Sequence, residues 1–149
     1  MSDTLEAMFL VIDTMLENCT IDYNELQSSS IDKTFFNDYN NTRIVNSFLF
    51  NFSKLQDKIG AKLFKQILYE LKEIDTFSLT MIDILNRLEK LNILDASKQW
   101  EKLREIRNIL AHEYPCDIEE RIENIDLAME GFMELENIYR NLKKAIYKS

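Results

Sequence analysis

The chain has 149 residues and a formal net charge of -8, and it contains only 2 glycines, 1 proline and 2 cysteines. A chain of this length fits one domain and buries enough surface to fold without a metal or disulfide bonds. The scarcity of chain-breaking residues indicates helices rather than a turn-rich β fold. The acidic balance argues against general nucleic-acid binding, and no DNA partner is expected, although a local basic groove remains compatible with it.

The cysteine and histidine content argues against a metal centre. Cys19 and Cys116 are isolated, and His112 is the single histidine, so no spacing resembles a zinc site and no cofactor is expected. Two isolated thiols fit a reducing compartment. The apolar run at residues 7–12 is too short for a secretory signal, and no stretch approaches the roughly 20 apolar residues of a membrane span. We therefore expect a cytoplasmic protein that does not bind membranes.

The first half of the chain predicts three helices. Helical spacing of apolar residues predicts a helix over residues 4–17, and the polar stretch 19–30 predicts a loop. Residues 31–58 are densely aromatic at helical spacing and predict one long helix. Gly60 then predicts a break or kink, after which residues 61–72 form the next helix.

The second half predicts three more helical stretches. Residues 80–92 are predicted to form a helix that begins with a capping box and ends at Asn92. The next predicted helix runs from residue 95 or 97 to about residue 112. Asp117 caps a last helix that runs nearly to the C-terminus, with an apolar seam near seven-residue steps. The seam consists of Ile118, Ile122, Ile125, Met129, Phe132, Tyr139, Leu142 and Ile146. We therefore expect an all-α fold, an up-down bundle of five or six helices in a single domain over residues 1–149.

One helical face places a charge among apolar residues. At about 100° per residue, Arg107 falls between Leu103 and Leu110, with Trp100 one turn further back. Burying a guanidinium is costly unless a carboxylate or another anion pairs with it. Three acids are available as partners within the chain: Glu70, Asp83 and Glu119. On composition and spacing alone, an ordinary salt bridge is the better interpretation of Arg107.

The same residues also suit a metal-free reaction on RNA. The imidazole of His112 titrates near neutrality and can transfer a proton. A fixed Arg107 guanidinium can stabilise a phosphate that gains charge in the transition state. Because RNA supplies its own 2′-hydroxyl nucleophile, these two groups suffice for its cleavage. Because Pro115 follows, the helix is expected to fray or end near His112, which would let the imidazole turn toward the guanidinium.

The run Arg107-Asn-Ile-Leu-Ala-His112-Glu-Tyr114 resembles the R-x4-H-x-Y signature of HEPN domains, especially the HepT-like toxins. The preceding residues 77–94 look like the helix before that motif, and one long final helix follows it. The resemblance covers the chain from about Ile31 to the C-terminus. Residues 1–30, the predicted N-terminal helix and loop, match no part of the family motif.

The resemblance implies a two-fold homodimer in which facing motif helices build one composite cleft. Arg107 and His112 map to the catalytic pair, with Asn108 and Arg104 as supporting polar residues. Tyr114 maps to the tyrosine that a minimal nucleotidyltransferase antitoxin modifies with AMP in related pairs. The expected function is that of a toxin: a metal-independent endoribonuclease neutralised by this antitoxin partner.

Two other functions stay open at this point. Some HEPN relatives are regarded as non-catalytic subunits of minimal nucleotidyltransferases, and Arg107 would then hold a nucleotide phosphate without chemistry. In the third hypothesis the chain is a purely structural or interaction bundle with Arg107 in an ordinary salt bridge. A buried carboxylate partner for Arg107 would favour this last hypothesis.

Overall fold

The computed structural model describes residues 2–95, 97–111 and 117–148, and the regular structure in these ranges is entirely helical. Six α-helices are present there: α1 Asp3–Gln27, α2 Tyr39–Lys58, α3 Phe64–Glu70, α4 Met81–Lys90, α5 Ser97–Ala111 and α6 Ile118–Lys148. A π-helical turn over Ile59–Leu63 joins α2 to α3 without a break, so the described chain forms five helical rods. The prediction of an all-α fold is confirmed.

The helices enclose one core. Helix α1 packs along α2, α5 packs along α6, and α2 also contacts both α5 and α6, while α4 contacts α3 and α5. The largest fully buried side chains include Trp100, Tyr139, Phe9, Phe48, Phe52, Phe64 and Phe132. Burying a large apolar side chain contributes about 1.5–3 kcal/mol, so this cluster is the main source of stability. In the described part of the chain, no helix combines the length and the apolar character that crossing a bilayer requires.

The predicted boundary between the N-terminal helix and the loop that follows it is wrong. Helix α1 continues to Gln27 because Cys19 and Leu26 are both buried against the core, which extends its apolar face by two turns. The polar residues between them lie on the solvent side, where they do not interrupt a helix. The helix ends where the Ser28 and Ser29 hydroxyls donate to the carbonyl oxygen of Glu25.

The predicted helix over residues 31–58 begins later than expected. Asp32 accepts a hydrogen bond from the backbone N–H of Thr34, and a short 3-10 turn follows over Phe35–Asn37. The Asp38 carboxylate accepts from the Asn40 N–H at 2.9 Å and caps α2. Aspartates that bond to nearby backbone compete with helix formation, which is why these residues form a loop and a cap.

The predicted break at Gly60 is a π-helical turn instead. The helix is uninterrupted through the π-helical turn at Ile59–Leu63 and continues as α3, so Gly60 widens the helix without ending it. A Cβ atom added to Gly60 would lie 2.5 Å from Cζ2 of Trp100. The absence of a side chain here therefore lets the indole of α5 pack directly on the backbone of the π-turn.

Two helix ends depend on left-handed residues. Lys72 (φ 60°) follows α3 and Asn92 (φ 59°) follows α4. After Lys72, the backbone N–H of Glu73 donates to the carbonyl oxygen of Leu68. After Asn92, the N–H of Ile93 donates to the carbonyl oxygen of Leu88. The predicted helix stop at Asn92 is confirmed, whereas α3 ends at Glu70, two residues before the predicted end.

The predicted start and seam of the last helix are largely confirmed. The Asp117 carboxylate accepts from the Glu119 N–H at 3.0 Å, as expected of a cap. Five of the predicted seam residues are buried, namely Ile125, Phe132, Tyr139, Leu142 and Ile146. Ile118 is 37% exposed, because the first turn of α6 extends past the core.

We expect Gly60→Ala to destabilise the protein by about 1–3 kcal/mol, because the new methyl group overlaps the buried Trp100 ring. In an ordinary helix the same change would stabilise by up to about 1 kcal/mol. Urea unfolding followed by circular dichroism measures the difference.

Gly131→Ala is the matched comparison. Its added Cβ would lie 2.9 Å from the ring end of Phe52, a smaller overlap, so a smaller loss of stability is expected. A gain in stability for Gly60→Ala would contradict the packing of Trp100 on the π-turn.

Candidate functional site

Helix α5 carries the residues that the sequence singled out. Trp100, Leu103 and Ile106 form its buried face. Arg107 lies on the flank of that face, and its side chain is 34% exposed, so the prediction that it stands in the middle of the apolar stripe is wrong. Ile106 was not part of the predicted apolar face, but it is buried in the core beside α2 and α6. Arg107 therefore reaches the surface between α5 and α2.

The Arg107 guanidinium is held by Asp57 of α2. Its Nε donates to Oδ1 at 3.1 Å and its Nη2 donates to Oδ2 at 3.0 Å, a bidentate pair. This hydrogen bonding and the negative charge of Asp57 raise the pKa of Arg107 above its ordinary value. The Asp57 side chain is 46% exposed. Since an exposed pair contributes only about 0–1 kcal/mol, its main effect is to orient the guanidinium.

The three acids proposed as partners of Arg107 do not fill that role. Glu70 accepts from the backbone N–H of Ser2 at 2.6 Å, and Glu119 lies 3.8 Å from Lys33. Asp83 is in the first turn of α4, where its backbone N–H donates to the capping Thr80. The partner is Asp57 of α2, a helix that contacts α5.

Two surface depressions meet at the Arg107–Asp57 pair. The first, which we call the π-turn groove, has a volume of about 260 Å³. It is lined by Gln56, Asp57, Gly60, Ala61, Met81, Trp100, Arg104, Arg107 and Asn108. The second, the lysine groove, has a volume of about 280 Å³. It is lined by Leu49, Phe50, Ser53, Lys54, Asp57, Arg107, Leu110 and Ala111. The guanidinium is thus accessible from both sides of the pair.

The structure brings three of the predicted site residues together. Arg104, Arg107 and Asn108 all line the π-turn groove. Arg104 makes one long contact, 3.7 Å from Nη1 to Oε2 of Glu101, and both side chains are nearly half exposed. Such a contact leaves the Arg104 guanidinium able to turn toward an anion in the groove.

Two further predicted residues lie outside the described part of the chain. His112 and Tyr114 belong to residues 112–116, which the structure does not describe, so their roles stay predictions. Helix α5 is described as far as Ala111, which lines the lysine groove.

Sequence reasoning missed Gln56 and Asp57, which complete the site on the α2 side. The signal for Gln56 was present, because Phe52, Leu55 and Ile59 are buried at helical spacing and place Gln56 on the same face. No such signal existed for Asp57, which is one of many acids on solvent-facing positions. Its role depends on the contact between α2 and α5.

Among residues 2–95, 97–111 and 117–148, no three Asp, Glu, Cys or His side chains are grouped closely enough to hold a metal ion. Comparison of the chain with family models, with curated proteins and with solved structures gave no match.

We expect Asp57→Asn to increase the stabilisation of the protein by inorganic phosphate. The substitution removes the carboxylate that competes for the guanidinium and makes the grooves more positive by one charge. Thermal unfolding measured against phosphate concentration, at constant ionic strength, reports this change.

The matched control is Glu136→Gln, which frees Arg140 from a similar guanidinium–carboxylate pair on α6. That arginine lies on an exposed helix surface, so phosphate should stabilise this variant no more than the parent protein. Equal responses of Asp57→Asn and Glu136→Gln would show that the grooves do not favour anions.

Proposed function

We propose that this protein is the toxin of a HEPN and minimal nucleotidyltransferase toxin–antitoxin pair, acting as a metal-independent endoribonuclease. The observation that carries the proposal is the oriented Arg107 guanidinium, which lies at the surface with Arg104 and Asn108, five residues before the single histidine. The Asp57 carboxylate that pairs with Arg107 is 46% exposed, so the pair is not the buried one that a purely structural role would favour. Here the pair instead forms the common wall of two grooves.

The chemistry follows from these groups and from RNA itself. The 2′-oxygen attacks the adjacent phosphorus and forms a 2′,3′-cyclic phosphate, while the bond from phosphorus to the 5′-oxygen breaks. The 2′-hydroxyl proton leaves to a base, and the departing 5′-oxygen takes up a proton to become a hydroxyl. In the proposed mechanism His112 transfers a proton and Arg107 stabilises the charge on the phosphoryl oxygens.

The surface around Arg107 supports the proposed homodimer. Phe50 is 62% exposed, and Leu49 and Leu110, which line the same groove, are half-buried. Exposed apolar groups that border a charged groove are common at protein–protein interfaces. In the proposed homodimer, a second copy on this surface would contribute a second Arg107 and a second His112, so that one imidazole would accept the proton and the other would donate one.

The proposed antitoxin is a nucleotidyltransferase that acts on Tyr114, seven residues after Arg107 in the sequence. It would transfer AMP from ATP to the Tyr114 hydroxyl, with release of pyrophosphate and of the hydroxyl proton. The modification would block RNA by charge and by volume.

We expect Arg107→Ala to lower the rate of RNA cleavage by about 10²–10³-fold, since one transition-state donor is lost. His112→Ala should lower it by about 10²–10⁴-fold through loss of proton transfer. Cleavage of a labelled RNA in the presence of a chelator measures both rates, and the product ends should be a 2′,3′-cyclic phosphate and a 5′-hydroxyl. Both substitutions should also relieve growth arrest on expression.

Arg140→Ala is the control for loss of a surface arginine, because Arg140 is paired with Glu136 far from α5. It should leave cleavage unchanged. Growth arrest and cleavage that persist in both Arg107→Ala and His112→Ala would refute the nuclease proposal.

A second candidate function is nucleotide binding without catalysis. The observation that favours it is the grouping of Arg104, Arg107 and Asn108 on one groove, which can hold a nucleotide phosphate without any reaction. In that case the protein would bind nucleotides and the partner nucleotidyltransferase, and purified protein would cleave no RNA. Calorimetry with nucleotides, combined with the cleavage measurement, separates the two functions.

A further inference from the structure

Two residues that line the π-turn groove each carry a buried polar atom with no hydrogen-bond partner among the residues that the structure describes. The atoms are Oε1 of Gln56, a side chain that is 3% exposed, and Nε1 of Trp100, a residue that is 1% exposed. Buried donors and acceptors are nearly always paired in proteins, so each of these atoms calls for an explanation. One atom is an acceptor and the other a donor, and both belong to residues that line the same groove.

The packing around Trp100 holds its N–H in place. The indole lies against the backbone of Gly60, where even a Cβ would overlap it, and the edge of Phe64 packs on its ring at 4.7 Å between centroids. The ring therefore has no room to turn its N–H toward another partner. A π-helical turn of this kind, inserted into an α-helix, is frequently found at functional sites.

The size of the groove argues for an occupant larger than one water molecule. Its volume of about 260 Å³ compares with the roughly 30 Å³ that a water molecule occupies in the liquid. Small-molecule sites commonly begin at about 300 Å³, so the π-turn groove suits part of a ligand rather than a whole one.

The chemistry of the lining identifies the kind of group. The Gln56 oxygen requires a donor, the Trp100 N–H requires an acceptor, and Arg104 and Arg107 on the same groove attract an anion. Each RNA base carries a donor and an acceptor side by side on its Watson–Crick edge, and each is linked through its sugar to a phosphate.

We propose that the π-turn groove is the base-binding subsite of the protein, in which Gln56 and Trp100 hydrogen-bond one RNA base whose phosphate lies at Arg104 and Arg107. This inference rests on the proposed function and deepens it, since it names the residues that select the substrate. Gln56 and Trp100 act on affinity and base preference, whereas Arg107 acts on the phosphate. The subsite is complete within one chain and does not depend on the dimer.

The single tryptophan of the chain makes the test direct. The indole N–H of Trp100 gives one resolved resonance in a nitrogen-15 NMR spectrum. We expect that resonance to shift downfield when AMP, GMP, CMP or UMP is added at millimolar concentration, with different affinities for the four bases. Ribose 5-phosphate and inorganic phosphate, which lack a base, should leave it unshifted.

A substitution at Gln56 tests the other half of the subsite. Gln56→Leu keeps the size of the side chain but removes the acceptor, so the best-bound nucleotide should bind about tenfold more weakly. The affinity for inorganic phosphate should not change. Because the buried oxygen has no hydrogen-bond partner within residues 2–95, 97–111 and 117–148, the substitution should not lower the thermal stability. Gln27→Leu, at an exposed position near the end of α1, is the matched control and should change none of these values.

The outcomes separate this inference from the nuclease proposal. If none of the four nucleotides shifts the indole resonance, the base subsite does not exist, even if RNA is cleaved. A shift that ribose 5-phosphate also produces would equally overturn it. Base-dependent shifts without any RNA cleavage would support the subsite and refute the nuclease. The NMR test uses the natural sequence, so it stands even if Gln56→Leu fails to fold.

Discussion

The bidentate pair between Arg107 and Asp57 is the interaction on which the site depends. It joins α5 to α2 at the surface, and it sets the direction of a guanidinium that a flexible side chain would otherwise leave unordered. A pair that is one-third to one-half exposed adds little to stability, so its consequence is positional. It also has a functional consequence, because a phosphate must compete with Asp57 or approach the N–H groups that Asp57 leaves free.

The π-turn is the second constraint, and it acts through Gly60. One wide helical turn between α2 and α3 gives Trp100 a flat backbone surface to pack on, and the same turn borders the groove beneath Arg107. A regular helix with an alanine at this position would push the indole away from its place. The π-turn at Gly60 therefore determines both the shape of the groove and the orientation of the buried Trp100 indole N–H.

Local charge and net charge differ in this protein. The chain as a whole is acidic, with a formal net charge of -8. Around the two grooves, however, Lys54, Arg104 and Arg107 are opposed mainly by Asp57 and Glu101. Long-range repulsion of RNA by the acidic surface is screened over about 10 Å at moderate salt, whereas contacts inside a groove are screened less. An acidic protein can in this way still present a site for a phosphate.

The sequence by itself determined the helical class, the capping of α4 and α6, the stop at Asn92 and the grouping of Arg104, Arg107 and Asn108 on one helix. These features depend on residues a few positions apart, and such spacing is visible in the chain. Only the tertiary structure decided that α1 runs to Gln27, that Gly60 widens a helix, and that Asp57 holds Arg107. Each of these depends on which helix lies beside which, and contacts between residues fifty positions apart leave no local pattern to read.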